Sequence, residues 1–124
     1  MTTRLSAAAL RAFVPGGLDF DKSRRFYEAL GFTCFFESTE ACGYGLGSCE
    51  FILQNAYAKE WAEWFMVQLI VADLDAWWAK IEGLELEAAF GVQAPIAPKL
   101  MPWRARVAFV YGPCGELWHI VQDG

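Results

Sequence analysis

The stretch that decides the fold is "DFDKSRRFYEALGF", Asp19 to Phe32. Asp19 can cap a helix, because its carboxylate accepts backbone N–H groups that a first turn leaves unpaired. Ser23, Phe26, Tyr27 and Leu30 then fall at i, i+3, i+4 and i+7, one face of a 3.6-residue period. Asp21, Lys22, Arg24, Arg25 and Glu28 take the opposite face, and Gly31 supplies a left-handed stop. Just ahead, Leu10 to Val14 reads as a short apolar strand broken by Pro15-Gly16-Gly17.

The pattern recurs in "FMVQLIVADLDAWWAKIEGLELE", Phe65 to Glu87. Phe65 to Ala72 reads as a strand, Asp73 as the cap, and Leu74, Trp77, Trp78 and Ile81 as the helical face. Aligning the two caps sets Tyr27 against Ile81 and Ala12 against Met66. Strand-like segments follow each helix: "FTCFFEST", "ACGYGLG" and "CEFILQN" in the first half, "LELEAAF", "RARVAFVYGP" and "ELWHIVQ" in the second. The later strands align at a larger offset, which sets Gly47 against Gly115 and Phe51 against His119. An extra loop, "VQAPIAPKLMPW", accounts for the difference. The chain therefore reads as two copies of one β-α-β-β-β unit, residues 8–55 and 65–122, joined by a linker at 56–64. The expected class is α+β, one domain whose antiparallel-rich, curved sheets carry helices on their outer faces.

Composition narrows the function classes. A chain of 124 residues that is 56% hydrophobic can bury a real core. Its 16% aromatic content, with six tryptophans, exceeds what a small core needs and suggests a ligand pocket or a subunit contact. A net charge of −5 without any Lys/Arg run speaks against nucleic acid. No stretch reaches the roughly 20 apolar residues of a membrane span, and the start of the chain has no apolar run of signal-peptide length. Cys34, Cys42, Cys49 and Cys114 lack metal-knuckle spacing, so they are expected to be small buried hydrophobes in a reducing, cytoplasmic compartment.

These segments together resemble the glyoxalase / bleomycin-resistance / extradiol-dioxygenase superfamily, the vicinal oxygen chelate proteins. "DFDKSRRFYEALGF" resembles its first-helix signature, D-x-x-x-S-x-x-F-Y-x-x-L-G-F with the acidic residue slightly shifted. "VADLDAWWAKI" is similar to the start of its second module. "PWRARVAFVYGPCGELWHIVQ" resembles its closing run, a tryptophan, a strand, a D-P-x-G-N-L-W turn and the last strand. The resemblance covers nearly the whole chain and implies paired modules curling around a cleft, usually in a homodimer. It leaves function open, since the fold carries metal-dependent enzymes as well as metal-free proteins that sequester antibiotics.

In the metalloenzymes of that superfamily the ligands sit on the first and last strands of each module. Carried over by motif position, they are Ala12, Phe51, Met66 and His119. Three of these offer methyl, phenyl and thioether groups, where a catalytic divalent ion generally needs three His, Asp, Glu or Cys ligands. A one-residue error in register does not rescue the site, since Arg11, Phe13, Ile52 and Val67 are no better and Glu50 alone could contribute, so no metal and no other cofactor is expected. His119 is the only histidine. It can serve as a lone base or as a ligand's hydrogen-bond partner, or it is a neutral residue satisfied by a backbone or tyrosine group. Alternation puts Leu117, His119 and Val121 on one face, Trp118 and Ile120 on the other.

The expected cleft is apolar and aromatic: Phe51, Leu53, Met66, Leu117 and Val121 form its floor, His119 faces it, and Trp61, Trp64 and Trp103 stand in its walls. Arg104 and Arg106, with Lys99, add local positive charge that suits a ligand carboxylate or phosphate or else a solvated loop. Tyr57, Trp61 and Trp64 equally suit a short amphipathic turn over the core or a dimer contact. Alternate glycines in "CGYGLG" suit a sharp strand bend or a close ligand. The leading expectation is a homodimeric, metal-free protein that sequesters an aromatic or cationic small molecule. The alternatives are a glyoxalase-like lyase or isomerase using a metal or His119, and an interaction module with no small ligand.

Overall fold

The computed structural model describes residues 4–124. In chain order, module one comprises β1 (Ala12–Pro15), α1 (Phe20–Leu30), β2 (Thr33–Glu37), β3 (Ala41–Leu46) and β4 (Cys49–Gln54). A linker helix, α2 (Lys59–Trp64), leads to module two: β5 (Met66–Val71), α3 (Leu74–Leu84), α4 (Leu86–Phe90), β6 (Ile96–Leu100), β7 (Arg106–Tyr111) and β8 (Leu117–Gln122). Each module forms a four-stranded sheet, ordered β1-β4-β3-β2 and β5-β8-β7-β6. In both, the first strand runs parallel to the last and the remaining pairs are antiparallel.

The helix signals work as their chemistry requires. Asp19 accepts the Lys22 N–H at 3.1 Å and Asp73 accepts the Ala76 N–H at 3.0 Å. Gly31 closes α1 at φ 111°, a conformation that costs glycine no Cβ clash. The buried face of α1 is Ser23, Phe26, Tyr27 and Leu30, and that of α3 includes Leu74 and Ile81.

Two expectations about the second half are overturned. "LELEAAF" is not a strand: Glu85 ends α3 at φ 49° and α4 follows at once. Leu, Glu and Ala are strong helix formers, and the short helix buries Leu86 and sets Phe90 edge-on to Phe26 at 5.4 Å. The missing strand lies inside the supposed loop "VQAPIAPKLMPW" as β6. Its Pro98 is tolerated because β6 is an edge strand, with its register shifting between Ile96 and Lys99.

The helix-facing sides of both sheets share one core with α1, α3 and α4. Tyr27, Phe32, Phe51 and Trp118 join the modules there, with ring centroids 5.0–6.2 Å apart. The other face of each sheet looks away from this core and stays partly exposed, through Phe13 on one and Met66 and Ile70 on the other. No helix among the described residues is long and apolar enough to cross a membrane.

Candidate functional site

Alternation along β8 is as the sequence requires: Trp118 and Ile120 enter the shared core, while His119 lies on the helix-free face. Its neighbours in register are Gln68 on β5 and Phe109 on β7. On β4, however, Phe51 and Leu53 are the core residues, 3% and 0% exposed. Phe51 therefore corresponds to Trp118, and Ile52, not Phe51, corresponds to His119. The turn from Gly47 to Phe51 holds one residue more than the turn from Gly115 to Trp118, and a one-residue slip exchanges the faces of a strand. The same correction applies at the start of each module. Buried Val14 matches buried Leu69, because the Pro15–Leu18 segment is one residue longer than its counterpart before Asp73.

The helix-free quartet on the first and last strands is thus Phe13, Ile52, Gln68 and His119, replacing the expected Ala12, Phe51, Met66 and His119. One imidazole and one amide among two hydrocarbons do not make a divalent-metal centre. Among the described residues, no three of His, Cys, Asp and Glu stand close enough together to hold an ion. The donor set does not fit the metal that the resemblance implies for the superfamily's metalloenzymes.

What the face of sheet two offers is an aromatic and apolar surface with a polar point. Phe109 meets His119 edge-on, ring centroids 4.9 Å apart at 68°. Val107, Phe109 and Val121 form a small apolar layer flanked by Ile96, Met101 and Leu117. Met66 and Ile70 stand 58% and 59% exposed beside it. Both His119 nitrogens are shielded from solvent without a hydrogen-bond partner, although a neutral imidazole carries one donor and one acceptor to satisfy. Burial pushes the His119 pKa below its ordinary value, so the ring is neutral at pH 7. The Lys99 ammonium lies 5.6 Å from the Phe109 ring centroid. An open groove of about 880 Å³ at Leu100, Met101, Pro102 and Arg104 borders this face, with Arg104 at φ 68°.

On sheet one, a register shift between Cys34 and Phe36 brings two adjacent rings over the same strand. A Cβ on Gly43 would come within 2.6 Å of both Phe35 and Phe36. One glycine of "CGYGLG" therefore makes room for phenylalanine rings. Phe35 also carries the Arg11 guanidinium 5.5 Å from its centroid, and Arg11 pairs with Glu50 at 2.7 Å. A cleft of about 790 Å³ opens between the β1 and β5 edges, lined by Arg11, Glu50, Phe51, Gln68, Ile70 and Trp118 among others.

The remaining expected site residues scatter. Leu53 is sealed in the core, while Phe51, 3% exposed and on the core side of β4, lines the inner wall of the cleft between the β1 and β5 edges. Trp61 is half-buried and Trp64 77% exposed on α2, where Ala62 is the buried residue. Trp103 is exposed on the loop beside Arg104. Arg106 is engaged by Asp75 of α3 at 2.9 Å and so turned toward the helix side. The sequence offers Phe13 and Ile52 only as one-residue register alternatives and does not single out Gln68 or Phe109. Correct turn lengths would have found the first three, and alternation along "RVAFVY" the fourth.

A second polar cluster lies in the core. Glu116, fully buried, accepts the Tyr27 O–H at 2.7 Å and the Cys114 N–H at 2.8 Å, while the Trp118 indole N–H donates to the Tyr27 oxygen at 2.9 Å. Burial outweighs these bonds and pushes the Glu116 carboxyl up to about 7. Burial also raises the Cys114 thiol, which suits a bystander in a turn rather than a nucleophile.

No family model and no curated protein matches the chain. Solved structures do. A bleomycin-binding protein in complex with bleomycin superposes with TM-score 0.82 at 24% identity, over 95% of this chain and 100% of the other. A bleomycin resistance determinant encoded on the transposon Tn5 gives 0.78 at 23% identity, over 94% and 98%. Lactoylglutathione lyase from Agrobacterium tumefaciens gives 0.69 at 12% identity, over 95% and 96%. These likenesses, together with the paired four-stranded mixed sheets, give the chain the α+β fold of these bleomycin-binding and lactoylglutathione-lyase structures.

Proposed function

We propose that this chain sequesters a flat aromatic small molecule, without metal and without chemistry, on the helix-free face of sheet two. The observation that carries the reading is the quartet Phe13, Ile52, Gln68 and His119. Where catalysis in this fold would call for ligands to a metal, this chain presents hydrocarbon, an amide and one neutral imidazole. Met66 and Ile70 supply apolar area for a ring, and exclusion of water with aromatic contact is sufficient for affinity. The likeness to a bleomycin-binding protein in complex with its ligand supports a binding role.

The site is completed, in this reading, by a second copy. Each helix-free face is open in the single chain and carries exposed apolar side chains, Phe13 on one and Met66 and Ile70 on the other, beside the paired Arg11 and Glu50 and beside Lys99, so the face of sheet one on one copy can close over the face of sheet two on another. Titration with bleomycin and a panel of planar drugs, followed by tryptophan fluorescence, tests the binding. Saturable quenching that survives a chelator is expected. A flat response across the panel overturns the reading, and affinity lost with the chelator overturns its metal-free part.

A further inference from the structure

The charge of the chain and the charge of this face have opposite signs. The net charge is −5, yet the four strands of sheet two contain no Asp or Glu. The eight strands together contribute four charged side chains: Glu37, Glu50, Lys99 and Arg106. Three of them are neutralised at short range, Glu37 by Arg24 at 2.6 Å, Glu50 by Arg11 at 2.7 Å and Arg106 by Asp75 at 2.9 Å. Lys99 alone has no ion-pair partner among the described residues. It also lies on the helix-free face: its register partner is Val107, part of the apolar layer there, and its ammonium sits over Phe109.

Ammonium, phenyl ring and imidazole therefore stand in sequence, Lys99 on Phe109 and Phe109 against His119. An ammonium offers three donors and no acceptor, and the neighbouring imidazole has an N–H without a partner. An anionic oxygen meets both needs; the other imidazole nitrogen, an acceptor also without a partner, would suit an N–H donor, but an ammonium ligand would meet Lys99 of like charge. A cationic ligand would have to be desolvated here with only Glu50 of sheet one, already paired with Arg11, to receive it.

Building on the binding reading above, we propose that the ligand of this face is a planar aromatic acid. Its ring lies against Met66, Ile70 and His119, and its anionic oxygen is held by Lys99.

Calorimetric titration at low salt with 2-naphthoate, 2-naphthamide and 2-naphthylmethylammonium tests this, since the three share a ring and differ in charge. Naphthoate is expected to bind about tenfold more tightly than the amide, as a charge-assisted hydrogen bond exceeds a neutral one, and the ammonium compound most weakly. In Lys99→Gln the naphthoate advantage should vanish while the amide binds as before, and in Arg106→Gln the advantage should persist. Equal affinities, a preference for the cation, or a naphthoate preference that survives Lys99→Gln overturns the acid and leaves the binding reading standing. Failure of all three probes also overturns it, and the wider drug panel then decides the binding reading by itself.

Discussion

The Tyr27 hydroxyl donates to the Glu116 carboxylate across 2.7 Å, tying α1 of module one to the turn that opens β8 of module two. Burial holds this carboxyl near pKa 7 against an ordinary value of 4.5. The folded state thus keeps its proton more readily than the unfolded chain. The associated stability is complete below about pH 4.5 and is lost as pH rises through about 7, worth about 3 kcal/mol at 1.4 kcal/mol per pKa unit. Urea denaturation of wild type and Glu116→Gln from pH 5 to 9 should show the variant gaining on wild type as pH rises. Parallel profiles would mean that Glu116 titrates normally.

Gly112 is held to glycine by the same carboxylate. A Cβ there would sit 2.3–2.7 Å from the carboxyl atoms of Glu116, which is buried and cannot swing away. Gly112→Ala is expected to cost about 2–4 kcal/mol, through overpacking and loss of a buried hydrogen bond. In a Glu116→Ala background the added methyl group finds space, and its cost should fall below about 1 kcal/mol. Additive costs in the double-mutant cycle would show that the strain arises elsewhere.

The parts of this molecule legible in sequence are those written in local chemistry. Asp19, Gly31 and the Ser23/Phe26/Tyr27/Leu30 face mark α1 without reference to the rest of the chain, and Asp73 repeats the message. Two such signals with strands between them are enough for the duplicated α+β plan. The site is another matter, because it depends on which face each strand shows. A single extra residue in the Pro15–Leu18 turn, and another between Gly47 and Phe51, move the module-one positions from Ala12 and Phe51 to Phe13 and Ile52. Helix propensity and period could not see this, since both turns look ordinary. The direction of Arg106 is illegible for a similar reason. Its partner Asp75 is distant in sequence, and only the fold brings α3 beside β7.

The exposed row on β5 should mark a contact between copies. Met66 and Ile70 stand on one face, more than half exposed, in a strand with no charged residue. Exposed apolar patches of this kind favour association. Sedimentation velocity is expected to show a dimer for wild type and a monomer for Ile70→Lys, with unchanged far-ultraviolet circular dichroism. A wild type that sediments as a monomer at high concentration would remove the second copy from the proposed site.

His119 separates stability from binding in one position. Its two nitrogens are buried without partners in the free chain, and such groups cost roughly 1–3 kcal/mol each when desolvated and unpaired. Phenylalanine has a similar shape, keeps the edge contact with Phe109 and carries no polar atom. His119→Phe should therefore match or exceed wild type in thermal stability, while losing about tenfold in affinity for any ligand that accepts the imidazole N–H. Its depressed pKa adds a pH signature. The folded state favours the neutral ring, so the stability it contributes is present above the ordinary histidine pKa and falls as acidification protonates the unfolded chain first. The variant should gain relative to wild type below about pH 6.5. Thermal denaturation at two pH values, with a ligand titration on each protein, reads all three quantities. A variant destabilised by more than about 1 kcal/mol at pH 7.5 would show the imidazole already satisfied within the protein, and His119 would then be a core residue, not the polar point of a binding face.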